Sequence, residues 1–208
     1  MTIVVVDYGR GNLFSIGQAL SSLGFDYQVS SDPDIVLKAE RIVFPGVGAF
    51  ADAMGGLRER NLVEPIKEAV SAGSPLLGIC VGCQLLMSTG EEFGRHKGLD
   101  ILKGRVARLP EAVDGTPNRI RIPNVGWRQL HPTRQQSLFE DPAGSLFMYF
   151  VHSYAPIADD PEQVLATIEV NGTKIPVAVG KENVCGVQFH PEKSGQSGLR
   201  FIKRFLTG

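Results

Sequence analysis

The sequence predicts an α/β fold: an open, mostly parallel twisted sheet covered by helices on both faces, with an additional, partly antiparallel β region in the C-terminal half. Three observations predict it. Residues 2–6 are a continuous β-branched run, the composition of a strand buried on both faces. Similar runs alternate with stretches of helical period as far as Ile79, as in a helix-covered parallel sheet. From Gly104 onward the texture changes to short β-like runs at hairpin spacing.

The elements follow in order. Asp7 marks where the first strand emerges from the sheet. Residues 12–23 carry Leu13, Ile16, Ala19, Leu20 and Leu23 at helical spacing, and Gly24 is placed to end that helix. Residues 25–29 read as the second strand and 41–44 as the third. A Gly-rich loop comes next, then two helical stretches over 51–72, broken near Asn61 and punctuated by Pro65 and Gly73. Residues 75–79 form a strand that stops at Cys80, and 84–87 read as helical. The later β runs are 104–109, 119–122, 145–151, 164–170, 177–179 and 184–189. Residues 197–206 close the chain as an amphipathic helix with Leu199, Ile202, Phe205 and Leu206 on its apolar side.

Composition narrows the function. The 208 residues carry a formal net charge of −1 and no block of like charges, which points away from nucleic acid and membrane surfaces and toward a small ligand. No linker or composition shift marks a boundary, so residues 1–208 are expected to form one domain. The apolar N-terminal run has no basic flank and reaches Asp7 too soon for a signal segment or a span, so a cytoplasmic location is expected. Three cysteines, Cys80, Cys83 and Cys185, are too few for a disulfide framework, which leaves at least one free to react. Asn171-Gly172-Thr173 matches a glycosylation acceptor but, without a secretion signal, reads as a turn.

The strongest local signal is Gly78-Ile79-Cys80-Val81-Gly82, a nucleophile elbow with cysteine in the serine position. The glycines let the chain turn sharply, the start of the following helix favours a thiolate, and the Val81 amide becomes an oxyanion donor. The bland reading is a buried cysteine between packing glycines. Cys80-Val81-Gly82-Cys83 is also a C-x-x-C, the spacing of a redox or metal pair, though no second such pair exists and the four histidines are not spaced as ligands. Oxidation would trap Cys80 if the first helical turn relaxed enough to let Cys83 reach it.

A thiolate needs a base, and the base needs an orienting group. Phe189-His190-Pro191-Glu192 offers both at the end of a strand, where open α/β sheets place their sites. Alone, such a string is an ordinary surface turn. Phe44-Pro45-Gly46-Val47-Gly48 follows a strand directly, and its flexible backbone suits a second oxyanion donor. Gly9-Arg10-Gly11-Asn12 lacks the third glycine of a dinucleotide loop, because Phe14 stands in its place, and reads as a tight βα turn. Neither a cofactor nor a metal is called for.

Together, Pro45-Gly46-Val47-Gly48, the Cys80 elbow with Gln84, and His190-Pro191-Glu192 resemble the class I glutamine amidotransferases, whose triad runs Cys, His, Glu along the chain. More narrowly, residues 6–12, 123–127, 150–154 and 186–194 are similar to the family of glutaminase subunits that serve imidazole glycerol phosphate synthesis. The likeness spans essentially the whole chain. It implies that Cys80 attacks the carboxamide of glutamine, His190 carries the proton to the leaving ammonia, and Glu192 orients His190. It further implies that Gly48, Gln84, Glu92, Ser153 and Tyr154 hold glutamine. The implied partner is a (βα)8-barrel cyclase of histidine biosynthesis, met by Asn12, Trp127 and Lys193; read by itself, Trp127 is equally a core residue.

Two positions depart from the family pattern: Cys83 replaces a methionine and Asn124 a histidine. The resemblance also reaches amidotransferases of surface-polysaccharide synthesis. Other readings are a secreted γ-glutamyl hydrolase, a non-catalytic scaffold that regulates a partner, and a thiol-disulfide protein using Cys80 and Cys83.

Overall fold

Ile3–Val6 forms β1, fully buried, near one end of an eight-stranded sheet in a computed structural model that describes residues 2–110, 121–134, 137–140 and 146–208. With β1 run β2 (Tyr27–Ser30), β3 (Arg41–Gly46) and β4 (Leu76–Cys80), all parallel. Helices join them: α1 (Leu13–Ser22), α2 (Pro33–Leu37), α3 (Phe50–Glu59) and α4 (Val63–Ser71). Asn12 caps α1, and Gly24, at φ +78°, takes the left-handed turn after it that glycine adopts at no steric cost. Asn61 provides the break between α3 and α4 from the same backbone region, with φ +54°.

The short helix α2 was absent from the sequence reading, although its start is written there: Asp32 accepts from Asp34 N and Pro33 occupies the first turn. The expected helix over 84–87 is corrected. Helix α5 (Val81–Leu85) begins at the elbow, and β5 (Met87–Gly90) follows almost at once. The Leu86 carbonyl accepts from Ile101 N and Leu102 N, so sheet pairing claims this apolar segment before the helix can extend.

The C-terminal half both extends the main sheet and builds two smaller ones. β14 (Val184–Val187) pairs parallel with β4, and β13 (Thr173–Lys181), β12 (Val164–Val170) and β9 (His131–Pro132) continue outward antiparallel. A second sheet holds β6 (His96–Lys97), β5, β7 (Leu102–Arg108) and β11 (Tyr154–Ala158); β8 (Asn124–Gln129) and β10 (Phe147–His152) make a two-stranded ribbon. The run expected over 119–122 lies partly outside the described residues, and Arg121 and Ile122 are not in a strand. Ser145, expected to begin a strand, also lies outside them.

The closing helix α6 spans Gly195–Thr207. Its largest buried anchor is Phe201, which the sequence reading left off the apolar side; Ile202 and Leu206 are buried as expected, while Leu199 and Phe205 are only partly buried. The Phe201 ring lies 5.3 Å from that of Phe189 and 5.6 Å from that of Phe139, and Phe189 stacks edge-on against Phe150 at 5.8 Å. Truncating one such ring costs about 3–5 kcal/mol. This stack fixes the end of β14, from which His190 projects.

Candidate active site

β3, β4 and β14 end side by side, with Gly46 paired to Cys80 and Val187 to Ile79. At the end of β4 the chain turns on Cys80 itself, at φ +55° and ψ −113°, a conformation few non-glycine residues adopt and one that costs about 1–3 kcal/mol. The flanking glycines make the turn possible. A Cβ on Gly82 would fall 1.9 Å from the Phe44 carbonyl oxygen, and one on Gly78 would fall 2.9 Å from the Gly82 carbonyl oxygen. The elbow thus has the strained form that presents a nucleophile.

His190 and Glu192 meet it from the end of β14. Pro191 opens a single 3₁₀ turn, Pro191–Lys193, that folds Glu192 back so that Oε1 lies 2.9 Å from His190 Nδ1. Ser194 locks the turn: its hydroxyl donates to the His190 carbonyl at 2.6 Å and accepts from Tyr149 N at 2.9 Å. The two side chains are almost wholly buried, at 5% and 1% exposure. Nε2 has no conventional partner and faces the pocket shared with Cys80. Burial alone would push the imidazole down; the Cys80 sulfur beside the ring and the Glu192 carboxylate on Nδ1 outweigh it and push it up to about 10.

The pocket has a volume of about 360 Å³. Of the residues singled out in the sequence, Cys80, His190, Val47, Gly48, Val81, Gln84, Glu92, Ser153, Tyr154 and Lys193 line it. Glu192 stands behind His190, and Gly46 behind the loop. Asn12 is engaged as the α1 cap, its Oδ1 accepting from Ser15 N at 3.4 Å. Trp127 is half exposed on the β8–β10 ribbon, edge-on to Tyr149, so the core reading of this residue does not hold. A larger cleft of about 600 Å³ lies at the opposite end of the sheet, lined by Arg41, Asn183 and Phe205, and it brings no histidine to Cys185.

Two expected ligand groups are occupied. The Val47 amide, a candidate oxyanion donor, donates to the Arg10 carbonyl at 2.7 Å and so is turned away from the pocket. Glu92 Oε2 accepts from Phe50 N at 2.7 Å, serving the first turn of α3, which has no side-chain cap of its own.

Gln188, His152 and Asn124 form a buried network that the sequence reading missed. Tyr154 O only accepts, and it receives His152 Nδ1 at 2.9 Å and Gln84 Nε2 at 3.5 Å. Gln84 Nε2 also donates to Gln188 Oε1 at 2.9 Å, which directs Gln188 Nε2 onto Cys80 Sγ at 3.7 Å. On the other side, Arg128 Nε donates to Asn124 Oδ1 at 3.1 Å, leaving Asn124 Nδ2 to meet His152 Nε2 at 2.9 Å. That arrangement requires a neutral His152, and burial lowers it to about 4. A hydrogen-bonded chain therefore runs from Arg128 to the nucleophile.

Cys83 stands apart from the pocket. It is fully buried beneath the elbow, and a Cβ on Gly186 would lie 2.8 Å from its sulfur. Burial first, then Cys185 and Cys80, push its thiol well up, which opposes the thiolate that disulfide exchange needs. Among the described residues no group of three or more His, Cys, Asp or Glu converges as a metal site, and no helix is long and apolar enough to cross a membrane.

Known proteins match this chain along nearly its whole length. Residues 4–207 match the family model of class-I glutamine amidotransferases. The imidazole glycerol phosphate synthase subunit HisH of Salinibacter ruber is 44% identical over 203 residues, 98% of this chain and 93% of that protein. Its counterpart in Moorella thermoacetica is 45% identical over 203 residues, with the same 98% and 93% coverage. Among solved structures, a glutamine amidotransferase superposes with a TM-score of 0.72 at 23% identity over 98% of this chain and 96% of that one. A chain of PurLQS from Thermotoga maritima gives 0.71 at 21% identity over 99% and 97%. These two show the shared fold.

Proposed function

The chain belongs to the class I glutamine amidotransferase family, and we propose that it hydrolyses glutamine and passes the ammonia to a (βα)8-barrel cyclase that makes imidazole glycerol phosphate in histidine biosynthesis. The observation that carries the reading is the convergence of a strained Cys80 with a His190 whose far nitrogen is held by Glu192. Relatives 42–45% identical across 98% of the chain carry the name of that synthase's HisH subunit, which favours this assignment over polysaccharide amination, a lone γ-glutamyl hydrolase or a scaffold.

The chemistry follows from the geometry. Cys80 Sγ attacks the carboxamide carbon while the charge developing on oxygen is met by Val81 N–H. His190, charged and anchored through Nδ1, delivers its Nε2 proton to the leaving ammonia. A thioester remains. Water then attacks it, His190 takes the water's proton, and glutamate leaves as the thiolate re-forms. Gln84, Glu92, Ser153 and Tyr154, all lining the pocket, hold the substrate, with the Glu92 carboxylate suited to its ammonium group.

An exposed apolar face borders this pocket at Val151. Val125, Trp127, Phe147 and Val151 stand on the outward side of the β8–β10 ribbon at 41–50% exposure, and Val151 reaches the pocket rim beside Lys193. An apolar face beside an active site is what an ammonia-receiving partner would cover. The test is to purify the chain with the barrel cyclase of the same genome and follow glutamate release and imidazole glycerol phosphate together. Coupled, glutamine-dependent formation of both is expected. A pair that makes neither from glutamine would overturn the assignment.

A further inference from the structure

Tyr8 is 1% exposed, and no protein group accepts from or donates to its hydroxyl. A buried hydroxyl without a partner is destabilising, so any conformation that supplied one would be favoured. Tyr8 lies beneath the site, outside the lining of the Cys80 pocket but against the loop that borders it. A Cβ on Gly46 would fall 2.5 Å from Tyr8 Oη and 2.5 Å from Gly82 N, so the hydroxyl rests directly against Gly46, between the two backbone segments that carry the candidate oxyanion donors. The ring is firmly set: it packs 5.3 Å from Phe44, and the Tyr8 carbonyl oxygen lies 2.5 Å from where a Cβ on Gly56 would stand.

The same loop holds the Val47 amide in its turned-away position, through the 2.7 Å bond to Arg10 O, two residues after Tyr8. Rotating the Gly46–Val47 peptide toward the pocket reverses both of its ends. The N–H leaves Arg10 O for the site, and the Gly46 carbonyl swings to the side the N–H had occupied. There it would face the Arg10 carbonyl, an acceptor opposed to an acceptor. Glycine at position 46 lets the peptide turn at little steric cost. What the turned state needs is a donor beside Gly46, and among the described buried polar atoms without partners Tyr8 Oη is the one against it.

We propose that Tyr8 is a positioning residue for the oxyanion hole, donating to the Gly46 carbonyl when the Gly46–Val47 peptide turns and so holding the Val47 N–H toward the substrate. Burial, and secondarily Cys80, push its phenol up, so it keeps the donor proton throughout the working range. The proposal rests on the glutaminase reading above and adds a residue to it.

The test is Tyr8→Phe, which keeps the ring packing and removes one oxygen. In complex with the cyclase, kcat for glutamine is expected to fall roughly tenfold, the loss of about one hydrogen bond, with the KM for glutamine unchanged. Synthesis from ammonium salts should be unaffected. The thermal midpoint of the free chain should stay level or rise, because the lost hydroxyl had no partner there; a merely structural tyrosine would lower it. Undiminished kcat in the complex, or a lowered midpoint of the free chain, would overturn the latch while leaving the glutaminase reading intact. No glutamine turnover by the wild-type complex would remove both.

Discussion

The Val47 amide donates to the Arg10 carbonyl at 2.7 Å, although its place beside Cys80 makes it the natural second donor to a tetrahedral oxyanion. On the proposed mechanism the site as it stands has its nucleophile and base assembled and its oxyanion hole half built. Removing one oxyanion donor costs about 3 kcal/mol, roughly a hundredfold in rate. The free chain should accordingly release ammonia slowly, and binding of the cyclase with its nucleotide ligand should raise kcat by about that factor. Comparing steady-state glutaminase rates with and without the partner checks this; full activity of the free chain would rule out the loop as the switch.

On the proposed mechanism His190 and Glu192 act as one unit with Cys80, so His190→Ala should be as inactive in glutamine turnover as Cys80→Ala, and Glu192→Gln should lose less. The raised imidazole makes a further claim. Because folding lifts His190 from 6.5 to about 10, its contribution to stability is complete below pH 6.5 and is lost as pH rises through about 10. Glu192→Gln removes a partner of the charged ring and should bring that loss to lower pH. The imidazole resonances of His190 followed by NMR across pH 5–11 report it directly, and identical titrations in both proteins would refute the assignment.

Gln188 Nε2 points at Cys80 Sγ because Gln84 holds its carbonyl oxygen. A hydrogen bond to a charged group contributes about 1.5–3 kcal/mol. Gln188→Leu should therefore lower kcat for glutamine by about tenfold or more and slow alkylation of Cys80 by iodoacetamide in parallel. The KM should change little, since the amide holds the sulfur rather than the substrate. Unchanged alkylation would mean that the 3.7 Å contact does not support the thiolate.

Cys83, sealed beneath the elbow, should be dispensable for chemistry. Cys83→Ala is expected to keep glutamine turnover within a few-fold of wild type while losing stability by about 1–3 kcal/mol for the space left behind. Mild oxidation should yield Cys80 sulfenic acid and no Cys80–Cys83 disulfide. Mass spectrometry of the peptide spanning residues 78–87 distinguishes the two products, and finding the disulfide would restore the redox role.

Much of this was legible in the sequence because the chemistry is written in short, contiguous strings. The β-branched run to Val6, the elbow around Cys80 and the His190-Pro191-Glu192 turn each state their geometry locally. What was not legible depends on contacts distant in sequence. Gln84 and Gln188 are 104 residues apart, and only the parallel pairing of β4 with β14 makes them neighbours. A lone glutamine between Val187 and Phe189 in a buried run was the available signal. The fate of Met87 was decided by its pairing with Leu102, which no helical period could announce. The orientation of the Gly46–Val47 peptide depends on the Arg10 carbonyl and leaves no trace in composition.

The central claim is a division of labour, in which this chain makes ammonia at Cys80 and the partner consumes it. The most direct test is to measure imidazole glycerol phosphate formation by the complex carrying Cys80→Ala, once with glutamine and once with ammonium salts at raised pH. Loss of the glutamine-driven reaction with retention of the ammonium-driven one is predicted. Retained synthesis from glutamine in the mutant, or loss of both reactions in a complex that still assembles, would contradict it.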